Sequence, residues 1–221
     1  MNNFLTNELL DLDQTISRNL FNSIKYPWQA LPLIQDFVIK IGNLLPGENY
    51  EKIKDNVWVA KNSKISDNCR ILGPAIVDEN AEIRFGVFIR GAVIVGQNNV
   101  VGNSSELKNC ILFNNVHTPH FNYIGDSILG YKTHLGAGVI LSNVRSDRKE
   151  VVINYEDKKF NSGLKKFGSV LGDGVEVGCN AVLNPGTLVG RNSIIYPLSM
   201  VRKVVKKESI HKNNGEIVKI I

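Results

Sequence analysis

The stretch VAKNSKISDNCRILGPAIV, residues 59–77, places an apolar residue at every sixth position: Val59, Ile65, Ile71, Val77. The beat continues through Ile83, Ile89, Val95, Val101 and Leu107 to Phe113. It returns at Leu129, Leu135 and Leu141, and again from Leu171 through Val177, Leu183, Val189 and Ile195 to Val201. The residue four after these is usually small or branched, as at Ser63, Cys69, Ala75, Ala181 and Ser193. Neither the period of a helix nor that of a lone strand produces a beat of six. A coil with three short flat faces does, each face pointing its first residue inward and turning near a small one. Three hexads make an 18-residue rung, and rungs stack at the ~4.8 Å spacing of hydrogen-bonded strands. The repeat therefore predicts a mainly β chain, a parallel β-solenoid of about six rungs. A sandwich or barrel, whose strands are separated by turns at irregular intervals, does not keep register over ten hexads.

Outside the repeat, residues 1–50 read as helical, with Leu9, Leu10 and Leu12, then Leu20, Phe21 and Ile24, then Trp28 to Leu45. Pro27, Pro32 and Pro46 punctuate them. They are expected to cap the open end of the solenoid, which would occupy residues 51–201. Residues 144–168 are polar, lysine-rich and without the beat, an extended loop insertion. Residues 202–221 form a basic tail.

The net charge of +5 is concentrated in that tail, where Arg202, Lys203, Lys206, Lys207, Lys212 and Lys219 face only Glu208 and Glu216. A nucleic-acid binder spreads positive charge over a face or a helix, so no nucleic-acid partner is expected. No run approaches the ~18 apolar residues of a membrane span, and the first basic residue is Arg18, unlike the charged start of a secretory signal. Cys69, Cys110 and Cys179 are few, odd in number and unpaired in spacing, which suits reduced thiols in the cytoplasm.

The chemistry-bearing residues gather near the first break. His117, His120 and His134 lie there, with Tyr123 three residues beyond His120. Arg90 and Lys108 are 18 residues apart, so they stack on adjacent rungs. Two cations held that close call for an anion between them, and phosphate suits an arginine fork beside a lysine.

These residues resemble a family. The hexads are similar to those of left-handed β-helix acyltransferases. Residues 57–201 look like the acetyltransferase half of the bifunctional sugar-1-phosphate enzymes of bacteria and archaea. The resemblance rests on Val101-Gly102-Asn103, Glu106-Leu107-Lys108, the string from His120 to Asp126, and Gly136-Ala137-Gly138 leading to Asn143. It implies a left-handed parallel β-helix and a cytoplasmic homotrimer. The implied enzyme acetylates glucosamine-1-phosphate or galactosamine-1-phosphate from acetyl-CoA, in nucleotide-sugar biosynthesis and without a metal.

Residue by residue, the resemblance makes His120 the general base, Tyr123 a substrate contact and Asn143 a site amide. It makes Arg90, Lys108, Lys149 and His134 substrate-side residues. It puts Ala137 and Cys179 in a coenzyme A groove between subunits, with Arg202 and Lys203 near the phosphates. The types suit the chemistry: an amine attacking a thioester needs a base of near-neutral pKa, and the oxyanion needs a donor. His134 departs from a family asparagine, and Val152 from a lysine of archaeal members. Residues 1–50 have no glycine before Gly42, so no glycine-rich nucleotide loop and no uridylyl transfer are expected there. The alternative to an enzyme is a sugar-phosphate-binding or regulatory subunit. A zinc hydrase on this fold would need histidine intervals that the chain lacks.

Overall fold

Aliphatic residues recurring on the inside of a three-sided coil give the computed structural model its core, and the fold is the expected parallel β-solenoid. The structure describes residues 4–156, 158–202 and 204–220. On one face Val59 pairs with Val77 and Val77 with Val95. The next face stacks Ile71, Ile89, Leu107, Ile124, Leu141, Leu183 and Val201. The third runs in parallel from Lys64–Ile65 to Ser209–His211, giving about eight turns where six were expected.

The additional turns come from two places where the sequence hides them. The beat does not break after Leu107; it shortens. Leu112, not the expected Phe113, lies in the interior, paired with Val95 and Leu129. Phe113 packs outside the prism against Phe21, ring centroids 5.8 Å apart. Thr118 and Ile124 then occupy the inward positions over Val101 and Leu107. Beyond Val201 the basic tail is built in: Ser209–His211 stacks on Ile194–Ile195, and Ile217–Lys219 folds back on it.

The N-terminal segment does not plug the end of the coil. It lies along one face, because each strand of that face also points a large apolar residue outward and so needs cover on both sides. Trp58, Ile76, Ile94, Ile111, Ile128 and Leu188 point outward there and are buried with Phe4, Leu9, Leu31, Ile34 and Val38. Its helices are short; the longest, Ile34–Gly42, crosses the rungs of Ala75–Val77, Val93–Val95 and Glu106–Leu112. Gly42 allows this approach, since a Cβ there would strike the Trp58 ring. The first edge of the coil is closed instead by Tyr50–Lys54, antiparallel to Val57–Ala60.

The insertion also folds onto the covered face. Val152–Tyr155 and Lys158–Asn161 form a hairpin. Val151, Ile153 and Tyr155 are buried, Tyr155 edge-on to Phe4 with centroids 5.3 Å apart.

Candidate active site

One corner of the prism loses a residue on successive rungs. Between the inward Ile89 and Val93 the chain has three residues, Arg90, Gly91 and Ala92. Between Leu107 and Cys110, which pair with them, it has only Lys108 and Asn109. The following rung keeps the shorter corner, so Leu107 pairs with Ile124 at a spacing of 17. Shortening lets Glu106–Leu112 and Tyr123–Leu129 run round the corner as unbroken strands, with Asn109 and Asp126 in the left-handed region at φ 48° and 47°.

This geometry brings Asn109, Asp126 and Asn143 into one column. Asp126 is buried and accepts hydrogen bonds from Asn109 Nδ2 at 2.8 Å, from Asn143 Nδ2, and from Lys108 Nζ at 3.4 Å. Arg90 and Lys108 do sit on adjacent rungs, but each has a carboxylate: Arg90 donates to Glu106 at 2.7 Å. The unpaired pair of cations expected from the sequence is thus a nearly neutral set of two cations and two carboxylates. A cavity of about 240 Å³ opens here, lined by Gln35, Arg90, Lys108, Asn109 and Asp126.

Tyr123 belongs to the same network. Burial, then the charges of Glu106 and Asp126, hold its phenol above the usual tyrosine range, while a hydrogen bond with Asn143 pulls the other way. The hydroxyl is therefore protonated at neutral pH, a donor beside the Asn143 amide.

His120 is on the opposite edge of the face that carries Tyr123. It shares a corner column with Ala137 and Cys179. The Gly138 N–H donates to the His120 carbonyl at 3.0 Å, and the Asn180 N–H to that of Ala137 at 2.8 Å. The His120 ring is exposed, and among the described residues no hydrogen bond or ion pair joins it to Tyr123 or Asn143. The same edge leaves Phe85, Phe121, Val182, Leu198 and Met200 exposed.

The remaining sequence candidates are scattered. His134 pairs with His117 on the third face, ring centroids 6.4 Å apart, away from Tyr123. Lys149 is exposed at the base of the insertion, where its N–H donates to Asp147. Arg202 lines a cavity of about 370 Å³ with Ser142, Arg145, Asp147, Asn154 and Asn184, several rungs from Arg90. Lys203 lies outside the described residues. Among the described residues no cluster suited to a metal ion occurs, and no helix is long and apolar enough to cross a membrane. The three cysteines are free thiols.

Sequence reasoning assigned no role to Asp126, Glu106, Asn109 or Gln35. For the column the signal was present: Asn109, Asp126 and Asn143 recur every 17 residues. A rigid 18-residue rung passes over it.

The GMPPB C-terminal domain family matches residues 71–210. A bifunctional sugar-1-phosphate nucleotidylyltransferase/acetyltransferase of Sulfurisphaera tokodaii is 32% identical over 170 residues, 68% of this chain and 42% of that protein. The bifunctional protein GlmU of Methanococcus maripaludis strain C5 is 34% identical over 216 residues, 90% of this chain and 48% of that protein. The chain thus spans about half the length of the curated relatives it matches. Among solved structures, the acetyltransferase domain of PglB from Neisseria gonorrhoeae, in complex with acetyl coenzyme A, is 14% identical with a TM-score of 0.30. That match covers 72% of this chain and 55% of the other. The match over the repeat itself, from Ile71 to Ile210, makes this chain a member of the GMPPB C-terminal domain family.

Proposed function

We propose that the chain is an N-acetyltransferase, moving an acetyl group from acetyl-CoA to the amine of an amino-sugar 1-phosphate, glucosamine-1-phosphate or galactosamine-1-phosphate. The observation that carries this reading is the division of labour across one face. Arg90 and Lys108 stand at one edge, Tyr123 and Asn143 beside them, and an exposed imidazole at the other edge. A strand rises about 3.3 Å per residue, so the edges are separated by roughly the length of a short strand. The sugar lies across it, phosphate on Arg90 and Lys108, amine toward His120. The name of the Sulfurisphaera tokodaii relative, which includes an acetyltransferase, supports the same class of reaction.

His120 takes the proton from the nitrogen as it attacks the thioester carbonyl carbon; the C–N bond forms and the oxyanion develops. The C–S bond then breaks, and the imidazolium returns the proton to the departing thiolate. The Asn143 amide donates to Asp126 and meets the Tyr123 hydroxyl over Gly125. Asn143 thus orients Tyr123, and the oxyanion falls to a backbone donor. The Ala137 N–H, which makes no hydrogen bond among the described residues, stands in the His120 column. Acetyl-CoA runs along that column past Ala137 and Cys179, whereas Arg202, following Val201, stands on the Arg90 edge. The exposed apolar residues beside the column form the contact of a homotrimer, whose neighbouring subunit supplies the other wall of the groove.

The test is thiol release from acetyl-CoA with each sugar phosphate, wild type beside His120→Ala. Turnover falling by about 10²-fold or more in the variant supports the reading. Turnover surviving in the variant discards His120 as base. Tight sugar-phosphate binding without turnover in the wild type favours the binding-subunit alternative.

A further inference from the structure

We infer that Gln35, carried by the N-terminal segment, is a phosphate ligand of the sugar-phosphate subsite. The segment that covers one face thereby also completes the binding site at its edge. The inference rests on the reading of the Arg90–Lys108 corner as the phosphate end.

The cavity at that corner is assembled from five stretches of chain. Gly73-Pro74 and Gly91-Ala92 form its floor, and Arg90, Lys108, Asn109 and Asp126 its polar side. Gln35 supplies the remaining wall from the first turn of the helix Ile34–Gly42. That helix is fixed in place: Ile34 and Val38 are fully buried, and Gly42 is pressed on Trp58. Gly91 must be glycine, at φ 92° and with the Gly73 carbonyl 2.5 Å from where a Cβ would stand. The floor is therefore backbone, and the polar side chains converge above it. The Gln35 side chain is exposed and makes no hydrogen bond among the described residues, so its two N–H donors are available.

Charge gives this donor its use. Glu106 and Asp126 already neutralise Arg90 and Lys108, so an arriving phosphate meets a corner with little net charge. A neutral amide adds hydrogen bonds to phosphate oxygens without another cation to hold apart. A carboxylate in its place would face the phosphate directly and repel it.

The experiment measures calorimetric binding of glucosamine-1-phosphate and of glucosamine, with steady-state kinetics, for wild type, Gln35→Glu, Gln35→Ala and Arg90→Ala. Gln35→Glu is expected to weaken sugar-phosphate binding by about tenfold or more, and Gln35→Ala by about three- to tenfold. The KM for acetyl-CoA and the binding of glucosamine should be unchanged in both. Gln35 is exposed, so a role limited to structure would leave Gln→Glu silent; an unchanged thermal midpoint establishes that the variants fold. Weakening in Arg90→Ala with wild-type binding in both Gln35 variants overturns this inference and leaves the site reading intact. Unchanged binding in all three variants, or no binding by the wild type, overturns both.

Discussion

The Tyr123 hydroxyl and the Asn143 carboxamide meet directly over Gly125, in space that only a glycine leaves open. A Cβ on residue 125 would lie 2.6 Å from the Tyr123 hydroxyl and 2.7 Å from Asn143 Nδ2. Gly125 has no positive φ, so alanine meets no backbone penalty there. Gly125→Ala should therefore keep the fold at an overpacking cost of about 1–3 kcal/mol, while pushing both side chains off their positions. Acetyl transfer should fall by about 10²-fold, as misplacement by about an ångström does. Kinetics beside a urea melt check this; activity within twofold of wild type would show that the Tyr123–Asn143 contact is dispensable.

A second pair sets a pH dependence of stability. The Tyr50 hydroxyl donates to the buried carboxyl of Asp78. Burial is the largest influence on Asp78 and raises its pKa, outweighing the pull of the Tyr50 bond in the other direction. A carboxyl whose pKa is higher folded than unfolded contributes stability fully present below the unfolded value, about 3.9. That contribution is lost as pH rises through the folded value. Asp78→Asn, which keeps an acceptor for Tyr50, abolishes the loss. The stability of the variant relative to wild type should accordingly increase with pH from about 4 upward. Denaturant midpoints at closely spaced pH values read it, and a pH-independent difference would refute it.

Leu198 and Phe121 are bulky residues at φ 60° and 53°, on a corner column where other rungs place glycine, asparagine or serine. Both are exposed, Leu198 at 71%. Backbone strain and lost solvation point the same way, against these side chains in an isolated subunit. Leu198→Asn should raise the stability of the single chain by about 1 kcal/mol and weaken self-association. Sedimentation at several concentrations, alongside denaturation, separates the two effects. Self-association unaltered by Leu198→Asn and by Phe121→Asn together would remove this edge as the subunit contact.

The sequence carried the core of the coil because each inward position has one task, to be aliphatic. From Val59 to Leu107 the beat of six is the structure. It misled at Phe113, where dropping a corner residue moves the inward position to Leu112 while leaving an apolar residue at the expected place. The cover over one face was also written in the chain, since Ala75-Ile76-Val77 and Val93-Ile94-Val95 are apolar on both sides. Hexad counting registers only the first and fifth positions and leaves Ile76 and Ile94 unread. At the site, Arg90 and Lys108 were placed by period alone, whereas Glu106 and Asp126, their partners, are contacts between rungs that no local spacing displays. His134 followed the motif into the site, but its strand puts it on another face.

Asp126 is where that hidden register has its sharpest consequence. It holds Asn109, Asn143 and Lys108 at once, and through Asn143 it sets Tyr123. Asparagine at 126 keeps one oxygen, enough for Asn143, but turns an NH2 toward Asn109 and loses the charge opposite Lys108. That ammonium is 25% exposed and can turn to water, so the stability cost should be that of one unpaired amide, about 1–3 kcal/mol. Alanine removes every acceptor and leaves two amides short of partners in a buried corner, a cost of about 2–4 kcal/mol. Activity should follow the same order. Asp126→Asn is expected to retain transfer within about tenfold, and Asp126→Ala to lose about 10²-fold or more as Asn143 and Tyr123 are released. If Asp126 instead contacts the reacting groups, the two variants lose activity equally while differing in stability. Paired kinetics and denaturation on both variants decide between a positioning role and a direct one.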